Sequence, residues 1–453
     1  MQLINNKRAV KQKENVDNIV FFNGVLDIRA GGPSGYIANL KKSISQYPTT
    51  SKIVFISRSN AALKERKYTI RKNIAKIATL FIPIRKYRKK SREKIFAFLT
   101  TPMAGLVSMV LENRLVGKIF AFLTLKTPFD CLNPILAIYY RGYFKQLDKY
   151  QFKTIISHYA VDAVFIKNYL KSRKIEAKLM LMSHSPEPMS QEAYHLAKSR
   201  KIPNADIIYS VLQKIEKDAF SQADILVFPS KEAMEPYLKG LDYFKELSRN
   251  KKLMFIRTCC ARLDIENSIR DIREEFGIKT KYIISFIGRH TAVKGYDILK
   301  SIADKILAKR DDITFVIGGG QTSEISPLDH PRWIELGKIN PADLLKITDL
   351  FILPNRQTYF DLILIETLSS GVPILASNTG GNKTVYQDTQ AIELYDNQDD
   401  CINKIENFID TSKEYKNQQR KLAKIAYENN YTLEHFAKNY NNLIINLTKE
   451  YEQ

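Results

Sequence analysis

The 453-residue chain has few cysteines, a single tryptophan and no long apolar run. Its four cysteines, Cys131, Cys259, Cys260 and Cys401, lack the spacing of a zinc site or a disulfide framework, which favours a reducing compartment such as the cytoplasm. No stretch approaches the roughly 18 uninterrupted apolar residues of a membrane span. The first 18 residues are too polar for a secretory signal peptide. We therefore expect a cytoplasmic protein of two domains, since the length allows two cores.

Charge, by contrast, is abundant and of one sign. The formal net charge is +22, and residues 64–94 alone hold 13 lysines and arginines against two glutamates. Apolar stretches lie within this basic segment and continue to residue 124. Basic residues beside apolar anchors suit an anionic membrane surface, so we expect peripheral association through residues 64–124. A solvated charged surface is the alternative, and nucleic acid is not expected because no recognised module is present.

Short apolar runs alternate with helical stretches through both halves of the chain. In the first half these runs are 18–24, 51–57, 153–159, 177–184 and 223–230; in the second they are 281–288, 313–319, 333–337, 350–355 and 372–377. Strand–helix alternation predicts parallel sheets, hence an α/β protein of two doubly wound, Rossmann-like domains facing a cleft. We place the break near 256–280 and regard 60–150 as an elaboration of the first domain.

Cations follow the first strand of the second half. In "FIGRHTAVKGYDILK" the strand ends at Gly288, Arg289 follows at once, and Lys294 and Gly295 precede a helix. Cations at the carboxyl end of a buried strand favour an anionic ligand, and a diphosphate fits. The plain alternative is a pair of surface cations in a strand-to-helix loop.

Two glycine pairs lie next to predicted helix starts, where backbone amides approach phosphate oxygens easily. One pair is Gly31 and Gly32, in "AGGPSGY"; the other is Gly380 and Gly381, in "SNTGGNKTV". Each is a weak signal alone. Between them, Glu366 lies in the apolar run "LILIETL", where a carboxylate is costly without a partner. Glu366 is a candidate to accept the hydroxyls of a ribose.

Together these pieces resemble the retaining family 4 glycosyltransferases of the GT-B fold, the glycosyl transferases group 1. The resemblance rests on "FIGR…KG", "ITFVIGGG", "WIELGKINPADLLKITDLFILPN", "FDLILIETLSSGVPILAS" and "GG", in that order over roughly 281–388. The first half matches more loosely, through "AGGPSGY", "IISHYAVDAVF" and "LMLMSHSPEP". The family implies domains at about 1–260 for the acceptor and 261–430 for a nucleotide-sugar donor. Residues 431–453 would form a helix packing back on the first domain.

The resemblance also implies roles for individual residues. Arg289 and Lys294 would hold the diphosphate, Glu366 the ribose, and His184 would lie against the donor sugar. Backbone or side-chain contacts to the donor would come from Gly31, Gly32, Gly288, Asp361, Gly380, Gly381 and Asn382. A structural role remains the alternative for His184, and His158 is a second strand-end histidine. No Asp-x-Asp pair occurs, so neither a metal nor another cofactor is implied.

The chain departs from the family pattern where the donor sugar would bind. The usual Glu-x7-Glu motif has Thr358 in place of its first glutamate, and the usual EGFG reads TYFD, with Asp361 at a glycine position. Our interpretation is that Asp361 supplies the missing carboxylate three positions along.

Three functions remain open. The favoured one is a retaining enzyme that transfers a sugar, from a UDP-sugar by family precedent, to a glycan, lipid-linked or protein acceptor in cell-surface glycan synthesis. A non-catalytic partner subunit is the alternative that Thr358 supports. An inverting enzyme would need a general base, for which His184 is the candidate.

Overall fold

The computed structural model describes residues 13–28, 32–57, 133–199, 205–265, 270–320 and 325–449, which form two six-stranded sheets joined by helices. The basic segment 64–94, its apolar continuation to residue 124, and Gly31 lie outside the described residues.

The first sheet is entirely parallel and has the order β2-β1-β3-β4-β5-β6. Its strands are β1 Glu14–Phe22, β2 Ile53–Ser57, β3 Tyr150–Ser157, β4 Lys178–Leu181, β5 Ile225–Phe228 and β6 Lys252–Phe255. The helices between them are α1 Gly32–Gln46, α2 Asn133–Leu147, α3 Ala160–Arg173, α4 Met189–Ser199, α5 Ala205–Gln222, α6 Glu235–Gly240 and α7 Phe244–Arg249, with a 3-10 turn at Glu232–Met234.

The second sheet is also parallel, with the order β12-β11-β10-β7-β8-β9. Its strands are β7 Tyr282–Ile287, β8 Ile313–Gly318, β9 Trp333–Gly337, β10 Leu350–Leu353, β11 Ile374–Ser377 and β12 Glu393–Tyr395. The helices are α8 Ile272–Glu275, α9 Tyr296–Lys309, α10 Pro341–Ile347, α11 Leu362–Ser370, α12 Gly380–Thr389, α13 Gln398–Asp410, α14 Lys413–Asn430 and α15 Leu433–Lys449.

Both sheets reverse their strand order at one point, and these reversals locate the ligand crevices. In the second sheet the chain runs from β7 outward to β9, then returns to β10 on the other side of β7, which is the Rossmann order. The crevice therefore opens at the carboxyl ends of β7 and β10. In the first sheet the corresponding reversal lies between β1 and β3.

The predicted parallel α/β architecture is confirmed, and each of the ten predicted strands is present. The central strands β8 and β10 are buried at every residue, which explains their clear apolar signal. Two strands were missed, β6 and β12. Both are edge strands, and β6 has no fully buried residue while β12 has three residues in all, so their sequences carry little apolar pattern.

The last helix, α15, packs on the first sheet rather than the second. Tyr440 donates from its hydroxyl to Asn18 Oδ1 at 2.9 Å, and Ser43 Oγ donates to the Leu433 carbonyl at 2.5 Å. The Phe436 ring meets Tyr36 of α1 edge-on, with centroids 5.0 Å apart. The chain therefore crosses between its two units twice, once between β6 and β7 and once before α15.

One apolar cluster spans both units. It joins core residues of the first sheet, such as Ile155 and Val227, to residues of the second unit, such as Leu364 and Leu368 of α11. Within the described ranges, no helix has both the length and the apolar composition needed to cross a bilayer.

Candidate active site

The carboxyl end of β7 leads into a loop that the backbone holds tightly against its neighbours. Gly295 has φ +68°, and a Cβ there would lie 1.6 Å from the Pro354 carbonyl oxygen at the end of β10. Gly319 (φ +129°) approaches the Gly288 carbonyl almost as closely. Only glycine fits such approaches. The loop 288–295 is therefore fixed at the crevice of the second sheet, as the sequence pattern indicated.

Lys294 does not project freely from this loop. Its Nζ lies 2.6 and 2.7 Å from the two carboxylate oxygens of Asp361, and both side chains are largely buried. Asn355 also donates to Asp361, at 2.9 Å. Asp361 thus lies at the N-cap position of α11. It is the counter-ion of Lys294, the lysine predicted to bind the diphosphate.

Arg289 is likewise paired, but across the junction of the two units. Its guanidinium donates to Glu192 Oε1 of α4 at 3.1 Å, and the arginine side chain remains 56% exposed. Glu187 lies buried nearby and pairs with His195; burial raises the pKa of Glu187, and the charge of Arg289 acts in the opposite direction. Both candidate cations are therefore already neutralised by carboxylates.

A second carboxylate from the first unit meets the Gly380–Gly381 turn. The Gly380 amide donates to Glu235 Oε2 at 3.0 Å, and Lys383 Nζ lies 3.1 Å from Glu235 Oε1. This helix start thus attracts an anion, as a helix N-terminus does. Asn382, by contrast, turns inward: it is fully buried and donates to the Ser377 carbonyl at 3.0 Å.

The segment 354–361 is the hub of the site. Gly380 and Gly381 pack on the carbonyl oxygens of Thr358 and Tyr359 so closely that a Cβ would clash. Thr358 is fully buried, and its Oγ1 has no hydrogen-bond partner among the described residues. The Tyr359 ring enters the first unit, where it contacts His184, Phe228 and Tyr237, and its hydroxyl lies 3.4 Å from the Val227 carbonyl oxygen.

Helix α11 brings another helix start to this place. A Cβ on Gly35, in the first turn of α1, would lie 2.8 Å from Leu362 in the first turn of α11. The amino ends of α1 and α11 therefore meet, and both favour negative charge. Gly32 begins α1 with φ +48° and has open space around its Cα. The sequence pattern held no sign of the close approach at Gly35.

Glu366 lies one turn into α11. None of the described residues forms a hydrogen bond or ion pair with its carboxylate, and its charge acts on Cys260 in the connection between the units. Burial raises the pKa of Glu366 to about 7. The carboxyl group is thus poised between its two protonation states at neutral pH.

This shift predicts a pH-dependent effect on stability. Because the folded protein binds the Glu366 proton more tightly than the unfolded chain, the folded state carries extra protons between pH 4.5 and about 7. The resulting stabilisation is present near pH 4.5 and is lost as the pH rises through 7. We expect Glu366→Gln to match the wild type in urea unfolding at pH 5 and to be more stable at pH 8. Equal stability at pH 8 would contradict the shift.

Two histidines end adjacent strands of the first sheet and contact each other. His158 Nδ1 lies 2.7 Å from His184 Nε2, and the rings stack with centroids 5.0 Å apart. Burial lowers the pKa of His184 to about 3; burial, with the neighbouring ring, also lowers the pKa of His158 well below its ordinary value. Both imidazoles are therefore neutral at pH 7.

The structure brings together some of the residues that the sequence singled out and not others. Lys294, Asp361 and the 380–381 turn all touch the segment 354–361, and His184 reaches it through Tyr359. Glu366 makes no hydrogen bond or ion pair with that group, while Asn382 is bonded within its own turn. Sequence reasoning missed Glu192, Glu235 and Tyr359, because only the docking of the two units gives them their role.

Comparison with known proteins finds a family model that matches most of the second unit. The family model described as Glycosyl transferases group 1 matches residues 268–428. Spore coat protein SA of Bacillus subtilis (strain 168) is 24% identical over 191 residues, which are 37% of this chain and 50% of that protein. The chain thus spans about half the length of this curated relative.

Solved structures resemble the chain over nearly its whole length. Sucrose-phosphate synthase from Thermosynechococcus elongatus gives a TM-score of 0.58 at 13% identity, covering 96% of this chain and 100% of that one. HepE of Anabaena, solved in complex with UDP-glucose, gives a TM-score of 0.56 at 12% identity, and the match covers 96% of this chain and 99% of that one. At such low identity the likeness establishes the fold. Residues 268–428 therefore match the glycosyl transferases group 1 family, and the chain as a whole has the two-domain GT-B fold.

Proposed function

We propose that the protein is a retaining glycosyltransferase that takes a sugar from a nucleoside-diphosphate sugar, a UDP-sugar in the first instance. The observation that carries the proposal is the loop 288–295 at the crevice of the second sheet, where Lys294 lies at the amino end of α11 and Arg289 reaches across to Glu192 of the first unit. The match of residues 268–428 to the glycosyl transferases group 1 model supports it, as does the UDP-glucose bound to the similar fold of HepE.

In the proposed reaction the protein supplies positive charge where the leaving diphosphate gains negative charge. Such stabilisation is often the largest catalytic contribution of a protein. On donor binding, Arg289 would leave Glu192 and pair with the donor phosphates. Lys294 would contact the phosphates while it keeps its ion pair with Asp361. Glu366 would accept the ribose hydroxyls in its ionised form, and the acceptor would enter from the first unit. The reaction needs no metal in this scheme.

The first test is nucleotide binding without turnover. We expect UDP to raise the melting temperature of the protein, since ligand at about 100 times its dissociation constant adds roughly 2.7 kcal/mol to the stability of the folded state. GDP and ADP serve as matched comparisons for the base. A panel of sugar donors scored for hydrolysis and transfer then identifies the sugar. No stabilisation by any nucleoside diphosphate would overturn the proposal.

A non-catalytic subunit on the same fold is the second candidate. Two observations favour it: the buried Thr358 replaces a carboxylate, and the Tyr359 ring fills space between the two units. A protein of this kind would bind no donor and would gain activity only with a catalytic partner. The nucleotide experiment distinguishes the two, because a subunit that has lost its donor site is not stabilised by UDP.

Asp361 provides a prediction within the favoured function. If its carboxylate replaces the absent first glutamate of the motif, Asp361→Asn should raise the donor KM and lower kcat at least tenfold, as expected when a charged hydrogen-bond partner is lost. Thr358→Val, which keeps the shape of that side chain, should change kcat little. Steady-state kinetics with one donor check both. Full activity in Asp361→Asn with loss in Thr358→Val would contradict the interpretation.

We further propose that the protein works at an anionic membrane surface, on a glycan, lipid-linked or protein acceptor for cell-surface glycans. The proposal rests on the 13 cations of residues 64–94 and their apolar neighbours up to residue 124. We expect flotation with vesicles containing about 30% phosphatidylglycerol and none with neutral phosphatidylcholine, because each basic residue near such a surface adds about 1 kcal/mol. Equal partition to both vesicle types would contradict it.

A further inference from the structure

The histidine pair at the junction has a feature that the proposed reaction does not use. His158 is fully buried, and its Nε2 has no hydrogen-bond partner in the part of the chain that the structure describes. Its other ring nitrogen, Nδ1, faces His184 Nε2 at 2.7 Å. The His184 ring lies where the two units meet, with its centroid 6.0 Å from that of Tyr359.

Only two proton arrangements are compatible with this contact. Each ring is neutral and carries one proton, and the contact requires one donor and one acceptor. In the first arrangement His158 carries its proton on Nδ1 and donates to His184 Nε2, so His184 carries its own proton on Nδ1. In the second, His184 donates from Nε2, so the His158 proton must be on the buried Nε2.

The second arrangement leaves the His158 Nε2–H group buried without an acceptor. A buried N–H without an acceptor is rarer and less tolerated in proteins than a buried acceptor without a donor. The first arrangement leaves only a lone pair on His158 Nε2. It also keeps the His184 proton on Nδ1, the nitrogen of this half-buried ring that does not face His158.

We propose that His158 is a positioning residue that fixes His184 as the Nδ1–H tautomer. His184 then presents a hydrogen-bond donor at the junction and suits an oxygen of the donor sugar or its phosphate. Its Nε2 lone pair is occupied by His158, so it does not act as a general base. This assignment rests on the proposed transferase function for its consequence, and it disfavours an inverting mechanism that uses His184 to deprotonate the acceptor.

The rings and groups around the pair support a fixed geometry. The Tyr36 ring of α1 contacts both imidazoles, with centroids 5.8 Å from His158 and 4.7 Å from His184. Tyr359 contacts His184 from the second unit. The tautomer that the ring nitrogens adopt is set by the hydrogen bond that one of them makes, and packing holds the rings in place.

The tautomer can be read directly and without any substrate. The chain has six histidines, few enough to assign by single substitutions in long-range ¹H–¹⁵N spectra of histidine-labelled protein. In the wild type we expect His184 to show a protonated Nδ1 and an unprotonated Nε2. In His158→Leu, of similar bulk, His184 should shift toward the Nε2–H form that a free imidazole prefers. A wild-type His184 already protonated on Nε2 would overturn the proposal.

Kinetics provide the second readout. His158→Leu should lower kcat roughly tenfold with little change in donor KM, as expected for one misplaced hydrogen bond in the transition state. His158→Asn places an amide donor near the position of Nδ1 and should recover most of that loss. If both variants lose activity equally while melting at the wild-type temperature, His158 does not act through the tautomer. If the wild type transfers no sugar, the proposed function fails while the spectra still decide the tautomer.

Discussion

Replacing Lys294 with alanine should lower kcat/KM for the sugar donor by about 10²–10³, the usual cost of removing one group that stabilises developing negative charge. The loop that carries Lys294 is fixed by Gly295 against the end of β10, so the loop cannot shift to bring another of its cations into that place. The same variant should bind UDP more weakly in a thermal-shift titration. Steady-state kinetics with a single donor give the main measurement.

Two controls separate this loss from a loss of structure. Lys294→Ala strands the partly buried carboxylate of Asp361, which is costly by itself. The double variant Lys294→Ala/Asp361→Asn removes that unpaired charge, and its activity should remain at least tenfold below that of Asp361→Asn alone. Recovery to the level of Asp361→Asn would mean that the unpaired carboxylate, and not the missing cation, caused the loss in Lys294→Ala. Lys305→Ala, at an exposed ion pair on the following helix, should behave as the wild type.

Replacing Arg289 with alanine should lower kcat by about 10², again through the charge that develops on the leaving diphosphate. Here the structure allows a sharper contrast, because Arg289 is paired with Glu192 in the absence of donor. If that ion pair were its purpose, Glu192→Gln would be as harmful as Arg289→Ala. If the donor phosphates bind the guanidinium instead, Glu192→Gln should leave kcat unchanged and lower the donor KM, because the carboxylate that competes for Arg289 has been removed.

We expect Arg289→Ala and Glu192→Gln to leave the fold of the protein intact. The arginine side chain is 56% exposed, and exposed ion pairs contribute little to stability, about 0–1 kcal/mol. Arg173→Ala is a matched control, because Arg173 is equally exposed and pairs with Asp148 far from the crevice. A fall in activity for Arg173→Ala comparable to that for Arg289→Ala would show a general effect of removing surface charge.

Much of the architecture could be predicted from the sequence, because buried parallel strands are continuous apolar runs. β8 and β10 are examples in which every residue is buried. The position of the loop 288–295 was predictable for a related reason. It directly follows such a buried strand, and its glycines and cations mark the strand's carboxyl end. The edge strands β6 and β12 were not predictable, since strands that are short or never fully buried need no distinctive pattern.

The partners of the site residues were beyond sequence reasoning. Asp361 is 67 positions from Lys294, Glu192 is 97 from Arg289, and Glu235 is 145 from Gly380. Two of these three contacts join the two units, so they depend on how the units dock and not on any local pattern. Sequence alone presented two unpaired cations awaiting an anion, whereas the folded chain already supplies a carboxylate to each. The protonation of Glu366 was equally hidden, because it results from burial on α11.

The apolar cluster that runs through both sheets bears on how the chain can be divided. Leu364 and Leu368 of the second sheet's unit share it with Ile155 and Val227 of the first, and α15 returns to cover β1. Cutting the chain in the connection after β6 would therefore expose apolar surface on both fragments. We expect the halves to melt as one cooperative block in calorimetry, and a recombinant fragment restricted to residues 268–428 to aggregate unless it is co-expressed with the remainder.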